Sequence, residues 1–195
     1  ASDISTIKEG LTDEKTASFV EMLAEIGHES PIEHAYFTFG IEGVSRSLLA
    51  QITRHRIASY SVQSQRYVKE KNFSYVTPPE IAKDPETLKI YEESMAKAEE
   101  AYHALADKLS EGYLNEFLAA GIDEKTAKRN AEKKAIEDAR FVLPNACETK
   151  LVMTINARSL INFFHHRCCN RAQWEIRDVA DQMLALASKV APNIF

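Results

Sequence analysis

The sequence predicts an α+β fold, and three observations lead to that prediction. Residues 35–42 and 151–155 alternate apolar and polar side chains with the period of a strand. Residues 85–120 place apolar side chains at steps of three and four, as an amphipathic helix does. Strands and helices do not alternate regularly, which disfavours a doubly wound parallel sheet. We expect a single domain over residues 1–195, with a mixed or antiparallel sheet and long flanking helices.

Six segments are predicted to be helices because their apolar residues recur at helical spacing. They are residues 12–26, 45–55, 85–120, 123–139, 158–166 and 172–190. Their ends carry the expected signals, since Gly27 and Gly121 follow the first and third helices. Ser45 is a candidate N-cap of the second helix. Asp84 followed by Pro85 is a favourable start for the third.

The remaining segments are interpreted as loops or extended chain. Pro31 disfavours helical geometry at the residue before it, so residues 28–34 are predicted to be a loop. Gly43 is expected to break the first strand. Residues 57–65 have no clear period and are interpreted as a loop, and residues 67–75 as extended.

Composition excludes several classes of protein. Of 195 residues, 45% are apolar and 27% are charged, with 6 Gly and 6 Pro, so the chain is neither disordered nor collagen-like. No run approaches the roughly 18–20 apolar residues of a membrane helix, and we expect no membrane partner. Three Cys are too few and odd in number for a disulfide framework, which favours a reducing compartment. The chain begins at Ala1 without a signal pattern, so we expect a cytoplasmic protein that is trimmed at both ends.

Positive charge is concentrated in two segments, although the net charge is −5. Residues 46–71 contain six basic residues and one acid, and residues 156–177 contain four Arg and one acid. An acidic chain with two such clusters is poorly suited to general nucleic-acid binding, so we expect no nucleic-acid partner. The planar fork of Arg favours a small anion instead. The alternative is that each cluster is ordinary solvated surface.

The segment 54–66 contains three Arg, one His and three Ser. Gln51, Arg54 and His55 share one helix face by their spacing. The loop after them offers hydroxyls, backbone N–H groups and Arg66, a donor-rich surrounding that is typical of an anion site. The alternative is a mixture of ordinary core and surface residues.

A second set of polar residues follows the predicted strand at 151–155. Arg158, Asn162 and His166 form a stripe on one helix face, whereas Arg167 lies about 180° from Arg158 on an ideal helix. The two Arg therefore cannot serve one site from one straight helix in one chain. Either the helix ends near His166 or the two Arg serve sites in different subunits.

Metal and thiol chemistry are not expected. Two His and two Cys fall within residues 165–169, but adjacent helical residues point about 100° apart, whereas structural zinc uses spaced pairs. Cys147 lies in no recognisable nucleophile motif, and a lone Cys is usually a small buried residue.

Arg54, His55 and Arg56, followed by seven residues and Ser64, resemble the signature of the flavin-dependent thymidylate synthases. Other segments resemble motifs of that family in the expected order. They are residues 28–34, 140–144, 156–160, Asn162 with Arg167, and 173–176. The family usually has a further strand and helix before the segment that begins here, which agrees with a trimmed chain.

The resemblance implies an α+β homotetramer with FAD bound between subunits. It implies methylation of dUMP to dTMP, with methylenetetrahydrofolate as carbon donor and NADPH as the reductant of the flavin. The partners would be further copies of the chain and the small molecules dUMP, folate and NADPH.

The same resemblance implies roles for individual residues. FAD would contact His28, Ser30, Arg54, His55, Arg56, Val62, Asn156, Ala157, Arg158 and Asn162. The nucleotide dUMP would contact Gln51, Ile52, Thr53, Arg54, Val62, Gln63, Ser64, Gln65, Arg66, Arg140 and Arg167. Some members carry Glu where this chain has Val62, so a contact there must use the backbone or be lost.

Arg167 would be the catalytic residue, since the matching motif places it beside the pyrimidine. Carbon 5 of uracil is a poor nucleophile, and no Cys of this chain lies in a matching motif. A fixed positive charge there would stabilise negative charge as N3 loses its proton, which raises the electron density at carbon 5.

Two other classes remain open from the sequence. One is a nucleotide-sensing module with the same anion site but no turnover, which would have no need of FAD. The other is an RNA-binding protein, which needs exposed aromatic side chains beside the Arg. Only Tyr60 and Tyr67 meet that need.

Overall fold

The structure is a computed structural model that describes residues 3–64 and 74–195. Its three strands are β1 (Tyr36–Ser45), β2 (Ala58–Val62) and β3 (Glu148–Asn156). They form one antiparallel sheet in the order β1-β3-β2. The predicted α+β class is therefore confirmed. The prediction of a single domain is not tested.

Helices make up most of the described chain. They are α1 (Ile4–Glu9), α2 (Asp13–Glu25), α3 (Arg46–Ile52), α4 (Pro79–Ala82), α5 (Pro85–Ala119), α6 (Glu124–Ala139), α7 (Ala157–Arg167) and α8 (Trp174–Val190). All six predicted helices are present, with bounds shifted by a few residues at some ends. Helices α1 and α4 were not predicted from the sequence. No described helix combines the length and the apolar character that a membrane span requires.

Three predictions about loops and breaks were wrong. Gly43 does not end β1, because it adopts φ 70°, which glycine accepts without strain, and the strand continues to Ser45. Residues 58–62 form β2 instead of a loop. The segment 28–34 contains a 3-10 helix at Ser30–His34, in which Pro31 occupies the first turn, where its missing N–H is not needed. The predicted extended residues 67–73 lie outside the described chain.

Internal contacts divide the chain into two compact units. The first unit is the described part of residues 1–40, 51–61 and 152–195. Helices α7 and α8 pack together in it, and Leu160, Phe163 and Ile176 are fully buried. The hydroxyls of Thr38 and Thr154, one on each neighbouring strand, lie 2.9 Å apart. This unit contains every residue that lines the cavity described below.

The second unit is the described part of residues 41–50 and 62–151. Helices α5 and α6 pack along each other in this unit. The face of α6 that is buried consists of small side chains four residues apart, which allows a close approach of the helices. They are Ala127, Ala131, Ala135 and Ala139, each at most 1% exposed. Asp84 and Asp123 cap α5 and α6 by accepting hydrogen bonds from backbone N–H groups, which confirms the predicted start of α5 at Asp84 and Pro85.

Candidate active site

A tight turn follows α3 and fixes the backbone at His55. The N–H of Arg54 donates to the carbonyl of Gln51 at 3.2 Å, and that of His55 to the carbonyl of Ile52 at 3.1 Å. The Tyr60 hydroxyl on β2 lies 2.8 Å from the carbonyl oxygen of Ile52 and 2.9 Å from that of His55. Burial raises the pKa of Tyr60 to about 12, so the hydroxyl keeps its proton and donates at neutral pH. Strand β2 thus holds the turn in place.

The three consecutive side chains of the turn differ in their exposure to solvent. Arg54 and Arg56 are exposed, whereas His55 between them is half-buried. The His55 ring packs edge-on against Phe163 of α7, with ring centroids 4.8 Å apart and an interplanar angle of 77°. The turn therefore presents two cations to solvent and one imidazole to α7.

Helix α7 begins at a buried asparagine. Asn156 is 8% exposed, and its Oδ1 accepts from the N–H of Ser159 at 2.8 Å, which caps the helix. The N–H of Ala157 donates to the carbonyl of Ala35 at 2.8 Å, which ties the helix start to the residue before β1. These bonds explain why an Asn stands at this junction between β3 and α7.

A cavity of about 660 Å³ opens between the turn, the start of α7 and the 3-10 helix. Six of the ten residues predicted to contact FAD line it. They are Arg54, His55, Arg56, Asn156, Arg158 and Asn162. The fold thus brings two motifs that are about a hundred residues apart in sequence to one cavity, whose volume is ordinary for a cofactor or substrate site.

Two glutamates of the same cavity were missed by the sequence analysis. The guanidinium of Arg158 donates through Nε to Glu29 at 3.1 Å and through Nη1 to Glu33 at 2.5 Å. All three side chains are about half exposed, so the bonds matter more for orientation than for stability. The signal available was the pair of acids four residues apart in segment 28–34, but nothing local indicated a partner on α7.

Arg167 contacts the imidazole of His55. Its Nε donates to His55 Nε2 at 3.0 Å, and it is not among the residues that line the cavity. Burial is the largest cause that lowers the pKa of His55, followed by the positive charge of Arg167 and then by His166. His55 is therefore neutral near pH 7, with its proton on Nδ1. His55 lies at the cavity and also contacts Arg167.

The structure tests one of the two alternatives for Arg158 and Arg167, namely where helix α7 ends. Helix α7 ends at Arg167, one residue after His166, so the alternative that the helix ends near His166 is confirmed. Arg158 lines the cavity, whereas Arg167 is not among the lining residues and donates to His55. The alternative that the two Arg serve sites in different subunits stays a prediction.

The other predicted contact residues are placed as follows. In the first unit His28 and Thr53 are exposed, Gln51 is half-buried, and Ile52 and Ala157 are fully buried. Ser30 begins the 3-10 helix. The second unit contains Val62, Gln63, Ser64 and Arg140. Gln65 and Arg66 lie outside the described residues, so their predicted roles are untested.

None of the three cysteines lines the cavity. Cys147 is buried. Burial, followed by a hydrogen bond with Asp181, raises the pKa of Cys168 to about 12. A hydrogen bond from the backbone of Arg171 lowers the pKa of the half-buried Cys169. Within residues 3–64 and 74–195, no three His, Cys, Asp or Glu side chains are grouped as metal ligands.

Comparison with known proteins adds to this geometry. The family model described as Thymidylate synthase complementing protein matches residues 1–193. The flavin-dependent thymidylate synthase of Clostridium tetani is 54% identical over 192 residues, which are 98% of this chain and 74% of the relative. That of Nitratidesulfovibrio vulgaris is 48% identical over 182 residues, 93% of this chain and 68% of the relative. That of Geobacter sulfurreducens is 43% identical over 194 residues, 98% of this chain and 73% of the relative.

These matches cover the turn after α3, the cavity and α7, and they agree with the family that the motifs resemble. Identities of 43–54% over almost the entire chain show membership of the family and not merely a shared fold. The chain belongs to the enzyme family of flavin-dependent thymidylate synthases.

Proposed function

We propose that this protein methylates dUMP to dTMP, with methylenetetrahydrofolate as carbon donor and with FAD that NADPH reduces. The reaction would supply dTMP by synthesis de novo in the cytoplasm. The observation that supports the proposal is the cavity in the first unit, where the segment 54–56 meets Asn156, Arg158 and Asn162. In the family resemblance these are flavin-contacting positions, and the fold places all of them around one space.

The residues of the cavity fit the chemistry of FAD. Arg54 and Arg56 are exposed cations whose planar forks match the oxygens of a pyrophosphate. Asn156 and Asn162 carry amides that hydrogen-bond hydroxyls and ring carbonyls. Glu29 and Glu33 fix the direction of Arg158, which reduces the side-chain freedom that ligand binding would otherwise remove.

Arg167 is proposed to activate the pyrimidine. Its guanidinium stays protonated at every physiological pH, so it is a fixed charge and not a general base. Beside the base, that charge stabilises the anion formed when N3 loses its proton, and carbon 5 becomes more nucleophilic. When bound, the flavin supplies the hydride that completes the methyl group. A thiol nucleophile is not needed, which agrees with three cysteines that lie outside the cavity.

We also propose a homotetramer whose flavin sites are shared between subunits. The support is the arrangement on α7, where Arg158 lines the cavity and Arg167 does not. A second chain would meet the exposed side of the cavity. The proposed contacts of Gln51, Gln63, Ser64, Arg66 and Arg140 with dUMP follow the family resemblance.

The first experiment is an absorption spectrum of the purified protein, with and without added FAD and dUMP. A flavin spectrum that dUMP perturbs is the expected result, since both ligands would share one site. A protein that binds dUMP but never binds FAD would be a nucleotide sensor instead. RNA binding that falls steeply with salt, without dUMP binding, would favour the third class.

A further inference from the structure

We infer that His55 is a positioning residue for Arg167: as a neutral acceptor it fixes the guanidinium, and protonation of this one imidazole releases it. The inference rests on the proposed function, in which Arg167 acts on the pyrimidine. It adds a residue role that the motif resemblance, which places His55 against the flavin, does not contain.

The direction of the hydrogen bond between Arg167 and His55 determines the protonation state of the imidazole. Arg167 Nε can only donate, so His55 Nε2, at 3.0 Å, must accept. The imidazole is then neutral, with its hydrogen on Nδ1. The bond to His55 uses Nε alone. The two Nη groups at the end of the guanidinium do not take part in it.

The imidazole is held from two further directions. Its ring contacts Phe163, which is fully buried, at a centroid distance of 4.8 Å. Its backbone N–H donates to Ile52, and its carbonyl accepts from Tyr60. A ring fixed in this way presents Nε2 at one place, and Arg167 acquires a defined orientation from a neutral acceptor.

Protonation of His55 reverses the interaction. An imidazolium carries N–H groups on both nitrogens, so a donor would face the donor of Arg167 and two cations would lie 3.0 Å apart. Burial and the charges of Arg167 and His166 lower the pKa of His55, which keeps the bond intact at neutral pH. As the pH falls from about 6.5 through that lowered pKa, the bond is lost.

Among the residues that the structure describes, the charged groups that line the cavity beside His55 include two acids, and both are bound to Arg158. On α7 and its own turn the neighbours are basic, and the acids of the 3-10 helix already bind Arg158. The groups that surround the cavity or contact the ring are Arg54, Arg56, Arg158, His165, His166, Arg167, Glu29 and Glu33, with the protonated hydroxyl of Tyr60 on the backbone side. His55 is the group on this list that accepts from Arg167, so its own protonation acts on that bond directly.

The first test is ¹⁵N NMR of the histidine side chains in the full chain without FAD, followed from pH 8 to pH 5. We expect His55 to be the Nδ1–H tautomer with a pKa below 6.5, the ordinary value of a histidine. In R167A the pKa of His55 should rise, because one cation is removed. A His55 pKa that R167A leaves unchanged would overturn the inference.

The second test compares H55Q with H55F after loading with FAD, with H103Q as control. Both variants lose the imidazole at the cavity, but only Gln keeps an acceptor for Arg167, and it does not titrate. Reoxidation of reduced flavin by saturating dUMP and methylenetetrahydrofolate should be about tenfold to a hundredfold slower in H55F than in H55Q at pH 8. H103Q should behave as the wild type.

The pH dependence separates the outcomes further. The phosphate of dUMP also titrates near pH 6, so wild type is compared with H55Q, which shares that titration. We expect the wild type to lose more activity than H55Q between pH 7 and pH 5.5.

Equal rates for H55F and H55Q, or equal pH profiles for wild type and H55Q, would contradict the role of His55 alone. A wild type that never forms dTMP would instead contradict the proposed function. If H55F does not fold, the NMR comparison decides.

Discussion

Two arginines of α7 differ in the charge that surrounds them. Arg158 is half exposed and is bound by two carboxylates, which largely offset its charge. Arg167 is partly buried, and its hydrogen-bond partner is a neutral imidazole that brings no negative charge. A base placed beside Arg167 would therefore feel a less compensated positive charge than one beside Arg158. This difference favours Arg167 for electrostatic activation and Arg158 for ligand orientation.

The first prediction concerns Arg167 itself. R167A should slow the methylation step about 10²–10³-fold, because one stabiliser of the developing anion is removed. R167K should restore only part of the rate, since a Lys ammonium lacks the planar fork and its Nε donor to His55. The measurement is single-turnover kinetics at saturating dUMP, in which flavin reduction by NADPH and reoxidation are followed separately. Reoxidation of R167A at the wild-type rate would refute the catalytic role.

The second prediction concerns the three thiols. A variant in which Cys147, Cys168 and Cys169 are all Ala should fold and keep most of its activity. Its free energy of unfolding should fall by about 1–2 kcal/mol, mainly because Cys147 is buried and leaves a small cavity. Urea denaturation and a turnover assay measure the two quantities. Loss of turnover with intact binding of FAD and dUMP would point to a thiol nucleophile.

At this scale the sequence predicted part of the site. Arg54, His55 and Arg56 were singled out by their concentration in one short segment, and the structure places them at one cavity. The bond between Arg167 and His55 could not be predicted, because the two residues are 112 positions apart and only the fold brings them together. Glu29 and Glu33 were missed for the same reason.

At the scale of elements, the turn between α5 and α6 allows a test of how much a glycine with positive φ contributes to stability. Gly121 follows α5 with φ 79°, and the N–H of Ile122 donates to the carbonyl of Phe117 at 3.1 Å, which is the pattern of a glycine C-cap. No atom lies within 4 Å of an added Cβ at Gly121, so any cost of substitution is conformational. G121A should lower the free energy of unfolding by about 1–2 kcal/mol.

Gly112 provides the matched control on the same helix. It lies within α5, is exposed, and has equally open space around an added Cβ. G112A should raise the free energy of unfolding by about 0.5–1 kcal/mol, because Ala favours a helix interior more than Gly does. Urea denaturation of both variants gives the comparison. Changes of the same sign would contradict the account of the turn.

Helices and strands were predicted correctly where the apolar pattern extends over many residues, and incorrectly where the element is short. Helix α5 has ten turns' worth of apolar spacing and clear caps, so its bounds were predicted within two residues. Strand β2 has only five residues, Ala58–Val62, whose apolar positions alternate with two Ser. The dense polar residues that flank it obscured that short alternation. Gly43 was misread because a glycine with positive φ within a strand has the same sequence signal as one that ends it.

At the scale of the whole molecule, the prediction is a homotetramer that binds FAD. Sedimentation of the purified chain should give a mass about four times 22.0 kDa, and dilution to monomers should release the flavin. The reason is that sites shared between subunits bind only in the assembly. A monomer that keeps FAD tightly would refute shared sites without affecting the family assignment.

The proposed function is methylation of dUMP with a flavin as the hydride donor and a positive charge that activates the pyrimidine. The most direct measurement is an anaerobic single turnover. The FAD-loaded protein is reduced with NADPH, mixed with dUMP and methylenetetrahydrofolate, and analysed for dTMP and for oxidised flavin. We expect one dTMP for each flavin reoxidised, at a rate that R167A lowers about 10²–10³-fold. Flavin reoxidation without dTMP, or dTMP formed by protein free of flavin, would contradict it.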